Sequence, residues 1–85
     1  MQEQPKLIKT VKVVYPDSAR VHGIEGTVYL NVTIGKDGLV AVIMVKDSDN
    51  EIFNEAAINA VARYEFEPLK KECKVVIPVA FKLKK

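Results

Sequence analysis

The side chains able to do chemistry are few, and they are scattered along the chain. There is one histidine, His22, and one cysteine, Cys73, and no two ligand residues stand at metal-binding spacing. His22 falls at the end of a short predicted helix, where a cation is favoured by the helix dipole, and it reads as a surface residue. Cys73 has no partner for a disulfide within the chain and reads as a thiol filling a small apolar site. The Lys70–Lys74 loop offers neither a base nor a helix N-terminus to activate it. Glu65 and Glu67 flank Phe66; in an extended segment both carboxylates face water while Phe66 anchors the core. Asp47, Ser48, Asp49 and Asn50 resemble the start of a calcium loop but lack its spacing and closing glutamate, so they are read as a helix-capping loop. The glycines match neither a P-loop nor a dinucleotide fingerprint. Groups that do not converge make no active site, so the sequence speaks against an enzyme and offers no cofactor or metal site.

Size and charge narrow the field further. At 85 residues the chain is one domain. A chain this short buries only about 60% of its unfolded surface. Apolar residues make up 48%, enough for one two-layer core. The net charge of +2 is far from that of a nucleic-acid binder. Lysines gather at Lys70, Lys71 and Lys74 and again at Lys82, Lys84 and Lys85, and they read as solvated ends of a loop and a strand. No run approaches the roughly 18 apolar residues of a membrane span, and no signal peptide is visible, so the residues given read as soluble.

The elements that would position any site follow from periodicity. Residues 1–6 read as a flexible N-terminal segment and 7–85 as the folded domain. Leu7–Val14 is β-branched and mildly alternating, and predicts a short strand or an extended arm. Pro16 suits the first turn of a helix, and Gly23 suits its C-terminal stop. Thr27–Ile34 alternates cleanly: Val28, Leu30, Val32 and Ile34 face one way, and Thr27, Tyr29, Asn31 and Thr33 the other. Gly35–Gly38 predicts a hairpin turn, with positive φ at Gly38 and a candidate at Gly35. Leu39–Lys46 returns as a strand; its nearly continuous apolar run requires cover on both faces or a bulge. In Glu51–Tyr64, Phe53, Ala57, Ala60, Val61 and Tyr64 form one helical stripe. Pro68 prevents continuation. Lys74–Lys84 alternates again, with Val75, Ile77, Val79, Phe81 and Leu83 on one face and Val76, Pro78, Ala80 and Lys82 on the other.

The order (β)αββαβ predicts an α+β fold: a three-stranded antiparallel sheet with two helices on one face. Thr27–Ile34 is the expected centre; Leu39–Lys46 and Val75–Leu83 are the expected edges. Pro78 carries the most information about use. Proline cannot donate to a ladder, so its nitrogen must face outward from an edge strand. Strand alternation then turns the backbone groups of Val76, Ala80 and Lys82 outward as well, while Ile77, Val79 and Phe81 bond to the central strand. Such an edge can accept a guest peptide as an added strand. Its plainer reading is that proline and lysine guard the edge against aggregation.

Several short pieces also line up in a known order. Tyr15-Pro16, Gly23 to Val28, Asp37-Gly38, Phe53–Ala57, Tyr64–Pro68 and the closing strand Val75–Leu83 together resemble the C-terminal domain of the TonB family, over about Leu7 to Leu83. The resemblance departs at Lys12-Val13, where enteric members carry Gln-Pro, at Tyr64, where many have tryptophan, and at Asp47-Ser48-Asp49, where Ser-Ser-Gly is commoner. The resemblance implies that Val75, Val76, Ile77, Pro78, Val79, Ala80, Phe81, Lys82 and Leu83 pair with the TonB box of outer-membrane transporters. It implies a periplasmic domain of an inner-membrane-anchored energy transducer, driven by ExbB and ExbD through an anchor missing from the residues given. It implies no enzymatic activity, no cofactor and no nucleic acid.

Three alternatives stand beside this reading. One is a homodimerising scaffold in which Val42, Met44, Val76 and Ala80 form a self-associating patch. Another is a sensor protein carrying the same fold. The third is a nucleic-acid-binding α+β domain, disfavoured because Tyr29 is the only aromatic expected on the outer sheet face.

Overall fold

The structure, a computed structural model, describes residues 4–83. The expectations for residues 1–3 of the N-terminal segment and for Lys84 and Lys85 lie outside the described residues. The elements are β1 (Leu7–Lys9), α1 (Asp17–Val21), β2 (Gly26–Ile34), β3 (Val40–Ser48), a 3₁₀ turn (Glu51–Phe53), α2 (Asn54–Val61), β4 (Glu65–Phe66) and β5 (Cys73–Phe81). The main sheet is antiparallel in the order β3-β2-β5, as the alternation requires. Val28, Leu30, Val32 and Ile34 of β2 are buried together with Val79 and Phe81 of β5. Above them sit Ala19 of α1, Phe53, and Ala57 and Val61 of α2, so both helices cover the same face. The small alanine side chains let α2 approach the sheet closely.

Three aromatic rings hold the centre of this core. Phe53 and Phe81 stack with centroids 4.4 Å apart. Tyr15 meets both edge-on, at 5.6 Å and 5.8 Å. Each such pair adds about 0.5–1.5 kcal/mol beyond its buried area. The Tyr15 hydroxyl donates to the Ile24 carbonyl, which ties the segment before α1 to the turn after it. Burial, and secondarily the Glu25 carboxylate, raise the Tyr15 phenol above its ordinary pKa.

β3 explains its unbroken apolar run with bulges. The β2–β3 register shifts between Thr33 and Ile34 and again between Tyr29 and Leu30. Ala41 and Lys46 are the extra residues, and each resets the inward–outward alternation. Cover is partial: Val42, Met44 and Val45 remain exposed.

Other boundaries differ from the sequence reading. The arm forms a strand only over Leu7–Lys9, because the strand it pairs with, β4, is only two residues long and stands opposite Leu7 and Lys9. α2 ends at Val61, and a 3₁₀ turn replaces its first residues; the Asn50 side chain accepts the Ile52 N–H at 3.0 Å. Gly38 has φ of 83°, whereas Gly35 does not enter the positive region. A second reason for glycine at 38 was invisible in the sequence: a Cβ there would lie 2.0 Å from the Phe66 carbonyl oxygen. The hairpin and β4 are in direct contact, and the Phe66 N–H donates to the Gly38 carbonyl at 2.9 Å.

Candidate functional site

The chemically capable residues stay apart. His22 is the exposed C-cap of α1. Cys73 opens β5, half-buried against the core. Glu65 and Glu67 are exposed on either side of buried Phe66, and Glu65 pairs with Lys9 at 3.7 Å. Asp49 is spent on structure: its carboxylate accepts the Thr27 N–H at 2.9 Å. Asp47 accepts the Ser48 N–H at 2.9 Å. Among the described residues no group of acids, histidine or cysteine converges on a metal position. No helix of the described residues is long and apolar enough to cross a membrane.

The β5 edge is built as its proline demands. β5 pairs with β2 without interruption, Tyr29 opposite Pro78 and Thr27 opposite Ala80. The direction of the backbone groups can be fixed from Thr27. Its N–H goes to the Asp49 side chain at 2.9 Å, and its carbonyl accepts the Asp49 N–H at 3.0 Å. Both groups therefore point away from β5, and Thr27 shares no ladder bond with Ala80. By alternation Tyr29 shares none with Pro78, and the ladder bonds run through Val28–Val79 and Leu30–Ile77. The N–H of Ala80 and the carbonyls of Val76, Pro78 and Ala80 face outward. Among the described residues no strand lies on that side of β5.

The strand ends at Phe81, so Lys82 and Leu83, expected within it, fall just beyond. The inward ladder is nonetheless continued by a side chain: the Glu25 carboxylate accepts the Leu83 N–H at 2.6 Å. Sequence reasoning placed Tyr15 and Glu25 within short motifs but foresaw neither the packing of the Tyr15 ring on Phe53 and Phe81 nor the bond from the Leu83 N–H to Glu25. Tyr15 could have been found as an aromatic beside an apolar arm; Glu25 carried no local signal.

Side chains along β5 alternate as expected. Val75 and Ile77 are half-buried and Val79 and Phe81 buried on the helix side; Lys74, Val76, Pro78 and Ala80 are exposed on the outer face. On that face Met44, Asn31 and Val76 form one row across the sheet, and Val42, Thr33 and Lys74 the next. They line a shallow cleft of about 350 Å³. Ala80 stands apart from this patch, beyond Pro78 and opposite Thr27. A second groove, of about 740 Å³, runs between Val11–Pro16 and α2, over Ile52, Ala56 and Asn59.

The described residues form a two-layer fold whose three-stranded sheet ends in β3 on one side and in the proline-marked β5 on the other. The chain belongs to the family of Gram-negative bacterial TonB protein C-terminal domains, whose model matches residues 11–83. β1 lies outside that match. Protein TonB of Helicobacter pylori is 38% identical over 73 residues, covering 82% of this chain and 26% of that protein. Protein tonB2 of Pseudomonas aeruginosa is 40% identical over 75 residues, covering 81% and 28%. The chain thus spans about a quarter of the length of the curated relatives it matches. The solution structure of the Pseudomonas aeruginosa TonB C-terminal domain superposes with a TM-score of 0.80 at 29% identity, covering 99% of this chain and 91% of that one. A solution structure of the Helicobacter pylori domain gives 0.75 at 36% identity, covering 87% and 84%.

Proposed function

We propose that this domain is the receptor-gripping end of a TonB-type energy transducer. It captures the TonB box, a short extended segment of an outer-membrane transporter, by adding it as a fourth strand beside β5. The observation that carries this reading is the unpaired outer side of β5, with Ala80 and its neighbours turned outward. The domain works in the periplasm, and the rest of the transducer supplies an inner-membrane anchor coupled to ExbB and ExbD. A grip made of backbone bonds suits a force transmitter. It holds along the strand axis and tolerates differences between the peptides of different transporters.

An added strand of about six residues buries less than a standard interface, so affinity is weak to moderate. Amide chemical-shift mapping with a TonB-box peptide tests the site. Shifts are expected along Val75–Leu83. Shifts confined to the β3 edge or to the Leu7–Val14 arm would refute the placement. Ala80→Pro removes an outward N–H without touching the inward ladder; it should weaken capture while the amide spectrum stays native.

A further inference from the structure

The two edges of the main sheet are built differently. β5 pairs with β2 along its whole length with no shift of register. Its outward residues, Lys74, Val76, Pro78 and Ala80, therefore follow one another in unbroken alternation. β3, at the other edge, is interrupted near both ends.

The direction of the β3 backbone follows from Thr27, whose N–H and carbonyl point away from β5. By alternation the groups of Tyr29, Asn31 and Thr33 also point toward β3. Their partners there are Asp47, Met44 and Val42, so these three bond inward. Ile43 and Val45 face outward between them. On either side of this pair the alternation breaks. Ala41 is the extra residue opposite the Thr33–Ile34 step, and Lys46 the extra residue opposite the Tyr29–Leu30 step. Each bulge disrupts the ladder and bends the strand. Past Lys46, the Ser48 N–H is already taken by the Asp47 carboxylate at 2.9 Å.

The start of β3 is covered as well. The Leu39 carbonyl accepts the Gly35 N–H on the β2 side at 2.9 Å. On the opposite side Leu39 bridges to Glu65, and the Phe66 N–H donates to the Gly38 carbonyl at 2.9 Å. β1 pairs with β4 in turn. A strand laid on β3 would thus meet β4 at one end and the Lys46 bulge at the other. Only Ile43 and Val45 lie between with outward groups in register.

Resting on the strand-addition reading above, we propose that the Ala41 and Lys46 bulges, Asp47 and β4 close the β3 edge to extended chains. The domain then takes one guest strand, at β5. A sheet open on both sides would join two guests, or string one copy to the next through β3. Ala41 and Lys46 set this selectivity through the backbone, since both are exposed and neither belongs to the core.

The test opens the edge by deleting Ala41 and Lys46 and adding Asp47→Thr, which frees the Ser48 N–H. The deletions join Val40 to Val42 and Val45 to residue 47, and every remaining residue of β3 keeps its partner on β2 and its face. The outward run then extends evenly from Ile43 and Val45 to Ser48. The peptide Ser-Val-Thr-Val-Ala-Val-Thr-Ser is titrated into isotope-labelled protein, with amide shifts giving the site and calorimetry the stoichiometry. Wild type is expected to bind one peptide and to shift β5 amides alone. The opened variant is expected to shift β3 amides too, and to bind a second peptide or dimerise through β3. An opened variant that folds natively, stays monomeric and shifts no β3 amide would overturn the closure. So would a wild-type protein that takes the peptide at β3. If the opened variant does not fold, Ala80→Pro in the otherwise native chain decides. With β5 weakened the peptide should find no site on β3, and its transfer there would refute the inference. The two readings can fail separately. If wild type shifts neither edge while the opened variant gains β3 shifts, capture at β5 falls and the closure of β3 stands.

Discussion

Replacing Gly38 by alanine sets a methyl carbon 2.0 Å from the Phe66 carbonyl oxygen. Normal contact needs more than an ångström of added separation, and both partners are backbone. β4 must therefore move away from the hairpin. That movement endangers the 2.9 Å bond from the Phe66 N–H to the Gly38 carbonyl, which is worth about 1 kcal/mol. It also begins to withdraw Phe66, 8% exposed, from the core. The left-handed backbone at φ of 83° adds about 1–2 kcal/mol for any side chain. The hydrogen-bond and backbone costs sum to about 2–3 kcal/mol, and any exposure of Phe66 adds to them. A domain of 85 residues has a total stability of about 4–13 kcal/mol, so the variant should lose a large share of it. Gly23 is the control. It too has positive φ, at 66°, but a Cβ there meets nothing within 4 Å. Gly23→Ala should lose only the backbone cost of about 1–2 kcal/mol. Urea unfolding of both variants, followed by circular dichroism, measures the difference. Equal losses would refute the collision with β4 and leave the turn conformation as the whole reason for glycine.

Phe53→Ala removes the ring stacked on Phe81 and should cost about 3–5 kcal/mol in denaturant unfolding. Asn50→Ala removes the side-chain acceptor of the Ile52 N–H and should cost about 1 kcal/mol in the same assay. Tyr15→Phe tests the raised phenol. The folded state holds that proton more tightly than the unfolded chain, so its stabilisation is complete below the unfolded-state pKa of 10.0 and is lost as pH climbs through the higher folded-state value. Unfolding curves of the two proteins from neutral pH to above pH 10 should therefore converge at the alkaline end, and a constant offset would refute the raised pKa.

Much of this protein could be read from the chain because its elements are strongly periodic. The clean alternation of Thr27–Ile34 placed β2 at the centre with Val28, Leu30, Val32 and Ile34 inward, and all four are buried. Pro78 marked β5 as an edge, since a residue without an N–H has no place in a central ladder. The order of short motifs carried the family. These are local properties, set by side-chain period and by backbone chemistry, and they need no knowledge of distant residues.

What only the tertiary structure decided involves partners far apart in sequence. β1 and β4 are too short to show a period, and they exist because Leu7 and Phe66 meet across the fold. Gly38 must be glycine as much for the Phe66 carbonyl as for its own φ. Tyr15 becomes a core ring through Phe53 and Phe81, and Glu25 becomes the last rung of β5 through Leu83. The outward turn of Ala80 was implied by Pro78, but its geometric support came from Asp49 capturing both backbone groups of Thr27 on the opposite side of β2. A sequence displays which side chains want burial or a hydrogen bond; which distant group answers each of them is decided only when the chain has packed.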